Sequence, residues 1–373
     1  MRETPYDIAV IGAGPAGSVA ARVLARAGKR VLLIDGRRPD DFRVGESLVP
    51  SARTMLRDLD LLEQFMAGGH LPCRGNRSAW GSSTIDETDF IRSPYGHGWH
   101  LDRIAFDAML ARAAGDAGAS LMPETQLVRF DRLEGAWRLH LRASAENITA
   151  ECSWLIDAAG RGSRIASAIG VERRHEDRLV AFHARFRGAG EVTDRDSRTL
   201  IESVAEGWFH TALLPGGERV VTLFTDADAP WLNRIKEAAG FLEAINRTEH
   251  LSRMLNDYGY RITGRLRSAD ARSSRLDRFY GDGWMAVGDA AVAFDPLSSQ
   301  GILFAIYSGL KAGEALVNYS GDDGDDALNG YASAVGGVYD SFLEHRLSYY
   351  HMEQRWPGSP FWMARQPIRA ADC

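Results

Sequence analysis

The chain opens with an apolar run at 6–11, then an alanine-rich stretch at 15–27 with helical spacing, then a second apolar run at 30–34. Apolar runs on either side of a helical period predict a β-α-β unit, the building block of a parallel sheet. Leucines at 56, 59 and 62 predict one helix over 51–66, and 102–114 reads as another. Between them, 73–100 has no period. Gly, Ser, Pro and isolated aromatics follow one another over a length too great for an idle connection, which predicts an irregular binding segment. Alternation at 126–133 and 136–143 around Glu134-Gly135 predicts a hairpin, and 153–159 a buried strand. Alternating runs at 179–187, 209–214 and 219–225 predict an antiparallel sheet, after which 284–288 returns to a strand and 302–317 to a helix. The acidic stretch 322–326 reads as a solvated turn.

The order of elements predicts an α/β protein. A Rossmann-like dinucleotide-binding domain is interrupted by an inserted, mainly antiparallel β-sheet substrate domain and followed by a C-terminal helical segment. The expected boundaries are 1–75, 101–175 and 268–330 for the first domain, 76–100 for a substrate-side loop segment, 176–267 for the inserted sheet and 331–373 for the helical end. A length of 373 residues, 45% hydrophobic and 25% charged, fits such an interleaved globular chain. The net charge of −6 argues against nucleic acid. No run approaches the ~18 apolar residues of a membrane span, and no signal-type segment opens the chain. Cys73, Cys152 and Cys373 form no CxxC pair, which excludes a zinc ribbon or dithiol motif and suits a reducing compartment. A cytoplasmic protein is expected. Only three of the 44 basic residues are lysines: Lys29, Lys236 and Lys311.

Gly12-Ala13-Gly14-Pro15-Ala16-Gly17 lies between the first predicted strand and helix. Gly12 permits the tight turn, Gly14 a close approach of backbone to a pyrophosphate, and Gly17 close packing of helix on strand. The helix start then offers free N–H groups and partial positive charge to the phosphates. Asp35 ends the second strand, placed to bind ribose hydroxyls. This says dinucleotide, without separating FAD from NAD.

Two later motifs make the separation. Asp157-Ala158-Ala159-Gly160-Arg161-Gly162-Ser163 follows one strand; Gly288-Asp289 follows another and runs on to Asp295-Pro296-Leu297-Ser298-Ser299-Gln300-Gly301. The ordered set resembles the FAD-dependent enzymes of the p-hydroxybenzoate-hydroxylase type. Within them it is most similar to the tryptophan-halogenase-like branch, which includes flavoproteins that mature tryptophylquinone cofactors. The resemblance implies FAD as cofactor, with Asp289 on its ribityl or pyrophosphate and the helix start at Gln300, Gly301 and Ile302 facing the flavin pyrimidine. It adds Arg43, Gly160, Pro296 and Arg103 to the cofactor set, although Arg103 reads equally as a surface pair with Asp107 at i+4. It also implies a closing helix over 344–356, followed by Pro360-Phe361-Trp362.

Val44-Gly45-Glu46-Ser47-Leu48-Val49-Pro50 matches a segment near the flavin in that branch, making Glu46 the acidic candidate beside the ring. Halogenases of the branch also need a lysine after the first long helix, and none occurs between Lys29 and Lys236. Arginine cannot replace it, because its pKa above ~12 prevents action as an amine nucleophile. The branch's second motif alternates two tryptophans, whereas here Trp208-Phe209-His210 puts histidine in the second place. Halogenation is therefore disfavoured. The expected function is an FAD-dependent monooxygenase hydroxylating an aromatic, indole-like group through a flavin C4a-hydroperoxide. Expected catalytic residues are His210, Trp208 and Glu46. Trp80 and Trp99 would join Trp208 in an aromatic box for substrate, with His97, His100 or His210 as proton donor near neutral pH. No cluster has metal-ligand spacing. The substrate would be an aromatic small molecule or a tryptophan-bearing partner protein. Without a second dinucleotide fingerprint, electrons would come from transient NAD(P)H contact or a separate flavin reductase. A halogenase, a geranylgeranyl-type reductase and a non-enzymatic flavin-fold escort are the alternatives.

Overall fold

The structure, a computed structural model, describes residues 6–38, 43–189, 193–319 and 324–366. At its centre the strand Tyr6–Ile11 pairs in parallel with Val31–Ile34 on one side and Glu146–Asp157 on the other. Ser120–Met122 and Trp284–Ala286 extend the parallel sheet outward. Such strands are covered on both faces, and Ile8, Ala9, Val10 and all four residues of Val31–Ile34 are buried. Continuous apolar runs, without alternation, are therefore what the fold requires. The strand predicted at 153–159 is the end of the longer Glu146–Asp157. Its first half pairs antiparallel with Ala136–Ala143, which pairs with Thr125–Leu133 in the expected hairpin.

Helix Pro15–Arg26 starts with proline where the missing N–H costs nothing. It lies against helix Gly301–Val317 at very short range. A Cβ on Gly309 would stand 2.2 Å from the Ala16 carbonyl oxygen, and one on Gly313 would stand 2.7 Å from Val23. Glycine is needed there for closeness and not for backbone freedom.

The single helix expected over 51–66 is two, Ala52–Asp58 and Leu62–Met66, divided at Asp60, whose φ of 54° is left-handed. Leu56, Leu59, Leu61 and Phe65 still face one core with Trp99 and Phe106, so the apolar period survives the break. Segment 76–100 is not a loop. Gly75–Ala79 and Asp86–Asp89 are strands of the inserted sheet, and Gly98–His100 pairs with Ser47–Leu48 and Leu71–Cys73. These strands are short, and Asp86–Asp89 is wholly exposed, so no apolar alternation marks them.

The inserted sheet runs, in spatial order, Tyr260–Asp270, Leu179–Gly188, Glu218–Asp226, Gly207–Leu213, Thr199–Val204, Gly75–Ala79 and Asp86–Asp89. Only the pairing of Thr199–Val204 with Gly75–Ala79 is parallel. One face packs under helices Ala238–Asn246 and His250–Asp257, which the sequence reading did not foresee, in a core of Phe182, Phe186, Phe209, Leu223, Phe241 and Leu251. The buried Glu202 carboxylate accepts the N–H groups of Glu249, His250 and Leu251, holding that layer in place. The other face looks toward the parallel sheet.

Asp325 and Asp326 stand in the first turn of helix Gly324–Met352, where acidic charge meets the positive end of the helix dipole; 322–323 lie outside the described residues. The predicted closing helix is thus the end of a much longer one. Beyond it the chain folds back over the inserted sheet. Glu353 accepts from Ser203 Oγ at 2.7 Å and the Gly81 N–H at 2.8 Å, Trp362 donates to the Val204 carbonyl at 2.8 Å, and Arg365 forks onto Asp226 at 2.6 and 2.8 Å. Cys73 and Cys152 are buried free thiols, and Cys373 lies outside the described residues. Among the described residues, no helix is long and apolar enough to cross a membrane.

Candidate functional site

A cavity of about 680 Å³ lies between the C-terminal ends of the parallel strands and the inner face of the inserted sheet. The glycine turn forms its floor. Gly12 has φ of +112°, and a Cβ there would stand 2.3 Å from the Ala158 carbonyl oxygen. Only glycine fits between the first strand and the end of Glu146–Asp157. A Cβ on Gly17 would meet the Gly12 carbonyl oxygen at 1.9 Å, so this residue packs helix on strand beneath the cavity. Gly160 and Gly301 line the cavity with open space where a side chain would stand. Bare backbone at both positions is a cradle that a Cβ would fill, and a flat, phosphate-bearing cofactor is the kind of group that fits it.

Of the expected cofactor residues, Gly12, Gly14, Pro15, Ala16, Asp35, Arg103, Gly160, Asp289, Pro296, Gly301 and Ile302 line the cavity. Asp35 is engaged by Arg37, whose Nε and Nη2 lie 3.1 and 3.0 Å from its oxygens. Arg43, Gly17 and Gln300 are not in the lining. Arg43 pairs with the buried Asp107, and Gln300 is exposed at the start of its helix. Arg103 also grips Asp107, at 3.2 Å from each oxygen, while Nη1 donates to the carbonyls of Val44 and Gly45 at 2.9 and 2.7 Å. It therefore anchors the loop that carries Glu46.

Sequence reasoning missed Arg173. Its guanidinium donates to the carbonyls of Asp289 and Ala290, to Ser274 Oγ at 2.9 Å and to Ser163 Oγ at 3.3 Å, clamping the Gly288-Asp289 turn from behind. A lone arginine in a β-strand carries no sequence signal of that kind. Arg173→Ala should weaken FAD binding about tenfold by loosening the turn, and should also lower the melting temperature, as each lost bond from a charged donor is worth ~1.5–3 kcal/mol. A fluorescence titration with FAD reads it, and unchanged affinity would refute the clamp.

The cavity brings together two of the three expected catalytic side chains. Glu46 is 5% exposed and has one carboxyl oxygen without a hydrogen-bond partner, while the other accepts the Gly45 N–H at 3.1 Å. Burial pushes its carboxyl up to about 7, against the opposing pull of Arg103 and Arg185. His210 stands in the opposite wall, next to Thr222 on the adjacent strand, and among the described residues nothing hydrogen-bonds its ring. Burial, helped by the Arg219 charge, lowers it to about 4. This corrects the expectation of a histidine proton donor. Near neutral pH His210 is a neutral imidazole, while Glu46, at about 7, is the group that exchanges a proton there.

Trp208 does not reach the cavity. It is fully buried, stacked on Phe224 at 4.1 Å, with its N–H given to Tyr350. The aromatic box is not assembled. Trp80 packs edge-on against Trp208, Tyr350 and Trp362 and donates to the Tyr349 carbonyl, whereas Trp99 lies in a separate core against Phe65. His97 sits against Trp99, away from the lining. His100 is sealed between the Leu213 carbonyl at 2.9 Å and Thr199 Oγ1 at 3.0 Å, and burial holds it neutral, at about 3. Trp99, Trp208 and His100 are buried and Trp80 and His97 half-buried, all outside the cavity lining. The residues that replace them are Ala181, Thr222, Phe224, Ala269 and Ala271, an apolar slot beside Phe224 with small side chains around it. Their signal was the period of two: Ala181, Thr222 and Phe224 share a sheet face with His210 once the strands are in register.

Comparison with known proteins agrees with this geometry. The family described as "FAD binding domain" matches residues 5–336. An FAD-dependent oxidoreductase of Marinomonas mediterranea, LodB, is 32% identical over 369 residues, which cover 98% of each chain. The myxobacterial chondrochloren halogenase CndH superposes with a TM-score of 0.86 at 26% identity, covering 98% of this chain and 87% of that one. The peptidyl tryptophan dihydroxylase QhpG has the same fold, with a TM-score of 0.74 at 22% identity over 99% of this chain and 80% of that one.

Proposed function

Because the chain belongs to the FAD binding domain family and is an FAD-dependent oxidoreductase, we propose that it is a monooxygenase that hydroxylates an aromatic, indole-like ring. The observation that carries this reading is the chemistry of the cavity wall. Among the described residues no lysine lines it, and burial poises the Glu46 carboxyl there near neutrality. None of the three lysines of the chain lines the wall, and Lys311 pairs with Glu314 on helix Gly301–Val317. With no lysine in that lining to carry an oxidised halogen, the wall supports oxygen transfer over halogenation.

FAD, once reduced and exposed to dioxygen, supplies an electrophilic oxygen atom, and the protein's part is positioning, dryness and a proton. The slot of Ala181, Ala269, Ala271 and Phe224 admits a flat ring and excludes water from its faces. Neutral His210 orients a polar edge such as an indole N–H through its ring nitrogen. Glu46 gives its proton toward the departing oxygen. One oxygen atom enters the ring, the other leaves as water, and a pair of electrons comes from NAD(P)H or a separate flavin reductase. QhpG is named for action on tryptophan within a peptide, so this fold accommodates a polypeptide-borne ring, and a tryptophan-bearing partner protein is the substrate we favour over a free metabolite.

The likeness to a halogenase favours halogenation as a second reading. One assay separates them. The FAD-loaded protein is given NADH, a flavin reductase, chloride and either tryptophan-containing peptides or free indoles, and the products are weighed. A product heavier by one oxygen atom is expected. Chlorine in place of hydrogen, or no substrate-dependent turnover, would sink the proposal.

A further inference from the structure

Behind the cavity wall a chain of buried hydrogen bonds joins three parts of the molecule. Trp208 Nε1, on the inserted sheet, donates to the Tyr350 hydroxyl at 3.1 Å. Tyr350, near the end of helix Gly324–Met352, donates to Asp295 Oδ2 at 2.8 Å. Asp295 opens the loop that leads to the start of helix Gly301–Val317 and is itself part of the cavity wall. Its Oδ1 accepts the Leu297 N–H at 2.9 Å, which shapes that loop. Arg346 Nε lies 3.1 Å from Asp295 Oδ2, while its Nη2 lies 2.8 Å from Asp177. Trp208, Tyr350 and Asp295 are at most 1% exposed, and Arg346 and Asp177 are close to fully buried.

The charge count there is uneven. One guanidinium is hydrogen-bonded to both carboxylates, while Arg365 forks onto Asp226, stacks on the Tyr350 ring at 5.3 Å and reaches Asp295 only through space, as Arg272 reaches Asp177. Asp295 is thus left with a partly uncompensated negative charge in a low-dielectric part of the cavity wall. A reduced flavin carries added negative charge, so an exposed anion there would oppose reduction. The Tyr350 O–H is the donor that completes the neutralisation. The Trp208 N–H occupies a hydroxyl lone pair and so leaves the tyrosine proton aimed at Asp295.

We propose that Tyr350 is a positioning residue for the flavin. By donating to Asp295, it sets the charge and posture of the loop facing the cofactor, and so the ease with which bound FAD is reduced; Trp208 fixes the direction of its hydroxyl. The inference rests on FAD binding and not on the reaction proposed above, so it stands or falls separately from hydroxylation.

The test is a reductive titration of the FAD-loaded full chain, read by flavin absorbance against a reference dye. In Tyr350→Phe the affinity for reduced relative to oxidised FAD should fall roughly tenfold, as loss of a hydrogen bond to a charged group predicts, which moves the midpoint potential down. In Asp295→Asn, which removes the charge itself, the potential should move up. Opposite signs are the signature that a merely structural role would not produce. Potentials unchanged in both variants, or moving in the same direction, overturn the proposal. Should Tyr350→Phe fail to fold, Trp208→Phe keeps a ring on Phe224 while releasing the hydroxyl. A smaller downward shift is then expected, and no shift would overturn the proposal.

Discussion

Glu46→Gln is expected to lower turnover about a hundredfold while FAD still binds, because a positioned general acid typically contributes at least that factor. Its pH behaviour is the sharper reading. The carboxyl lies at about 7, so in the native enzyme the proton donor is present below that pH and turnover should fall as pH rises through it. The glutamine variant should lack that limb. Stability should move the same way with pH. The folded chain holds a proton that the unfolded chain releases at its ordinary 4.5, so the contribution of this group to stability is complete below that pH and is lost as pH rises through about 7. Above the window, keeping an ionised Glu46 buried costs on the order of 3 kcal/mol at ~1.4 kcal/mol per pH unit. At pH 8 the slower variant should therefore melt at a higher temperature than the native protein. A variant with full activity and an unaltered pH profile would remove Glu46 from the chemistry.

The second large effect separates two glycines of one helix. Gly309→Val drives a branched side chain into the Ala16 backbone, where even a Cβ stands 2.2 Å from the carbonyl oxygen. Both partners are helix backbone and cannot yield by a rotamer change, so the two helices must part. Destabilisation of ~3 kcal/mol or more is expected, with loss of FAD from the purified protein. Gly301→Ala, on the same helix, meets nothing within contact range and should leave the melting temperature of the apoprotein unchanged. Its methyl group faces the cavity, so FAD affinity alone should drop. Calorimetry and FAD titration on the pair distinguish packing from contact, and equal melting behaviour in both variants would contradict the helix contact.

The first domain was legible because its signals are local. Gly12, Gly14, Gly17 and Asp35 sit at fixed offsets within one β-α-β unit, and parallel strands buried on both faces read as unbroken apolar runs. The substrate side was misread because its signals are not local. Trp80, Trp99 and His100 are the residue types that line aromatic sites, but burial by distant elements decides their role. Trp80 is covered by Tyr350 and Trp362, and His100 by Leu213 and Thr199, all more than ninety positions away in sequence. The slot is made largely of alanines, whose contribution is the room they leave, and an alanine in a sequence announces nothing. Strands Gly75–Ala79 and Asp86–Asp89 escaped for a related reason, since the first is short and polar at its centre and the second is a polar, exposed edge strand, so neither shows the period.

The two arginines near the end of the described chain, Arg346 and Arg365, are the cations paired with Asp177, Asp295 and Asp226. On the ribosome each of these aspartates emerges long before its partner. Until the later arginines arrive, the growing chain cannot close its interior over unpaired carboxylates, so those regions stay open and hydrated during synthesis. Assembly cannot finish in order from the first residue onward; the wall behind the flavin is sealed by segments made after it. A nascent chain halted before Arg346 should therefore remain a client for chaperones, even though its whole glycine-turn unit has already been made.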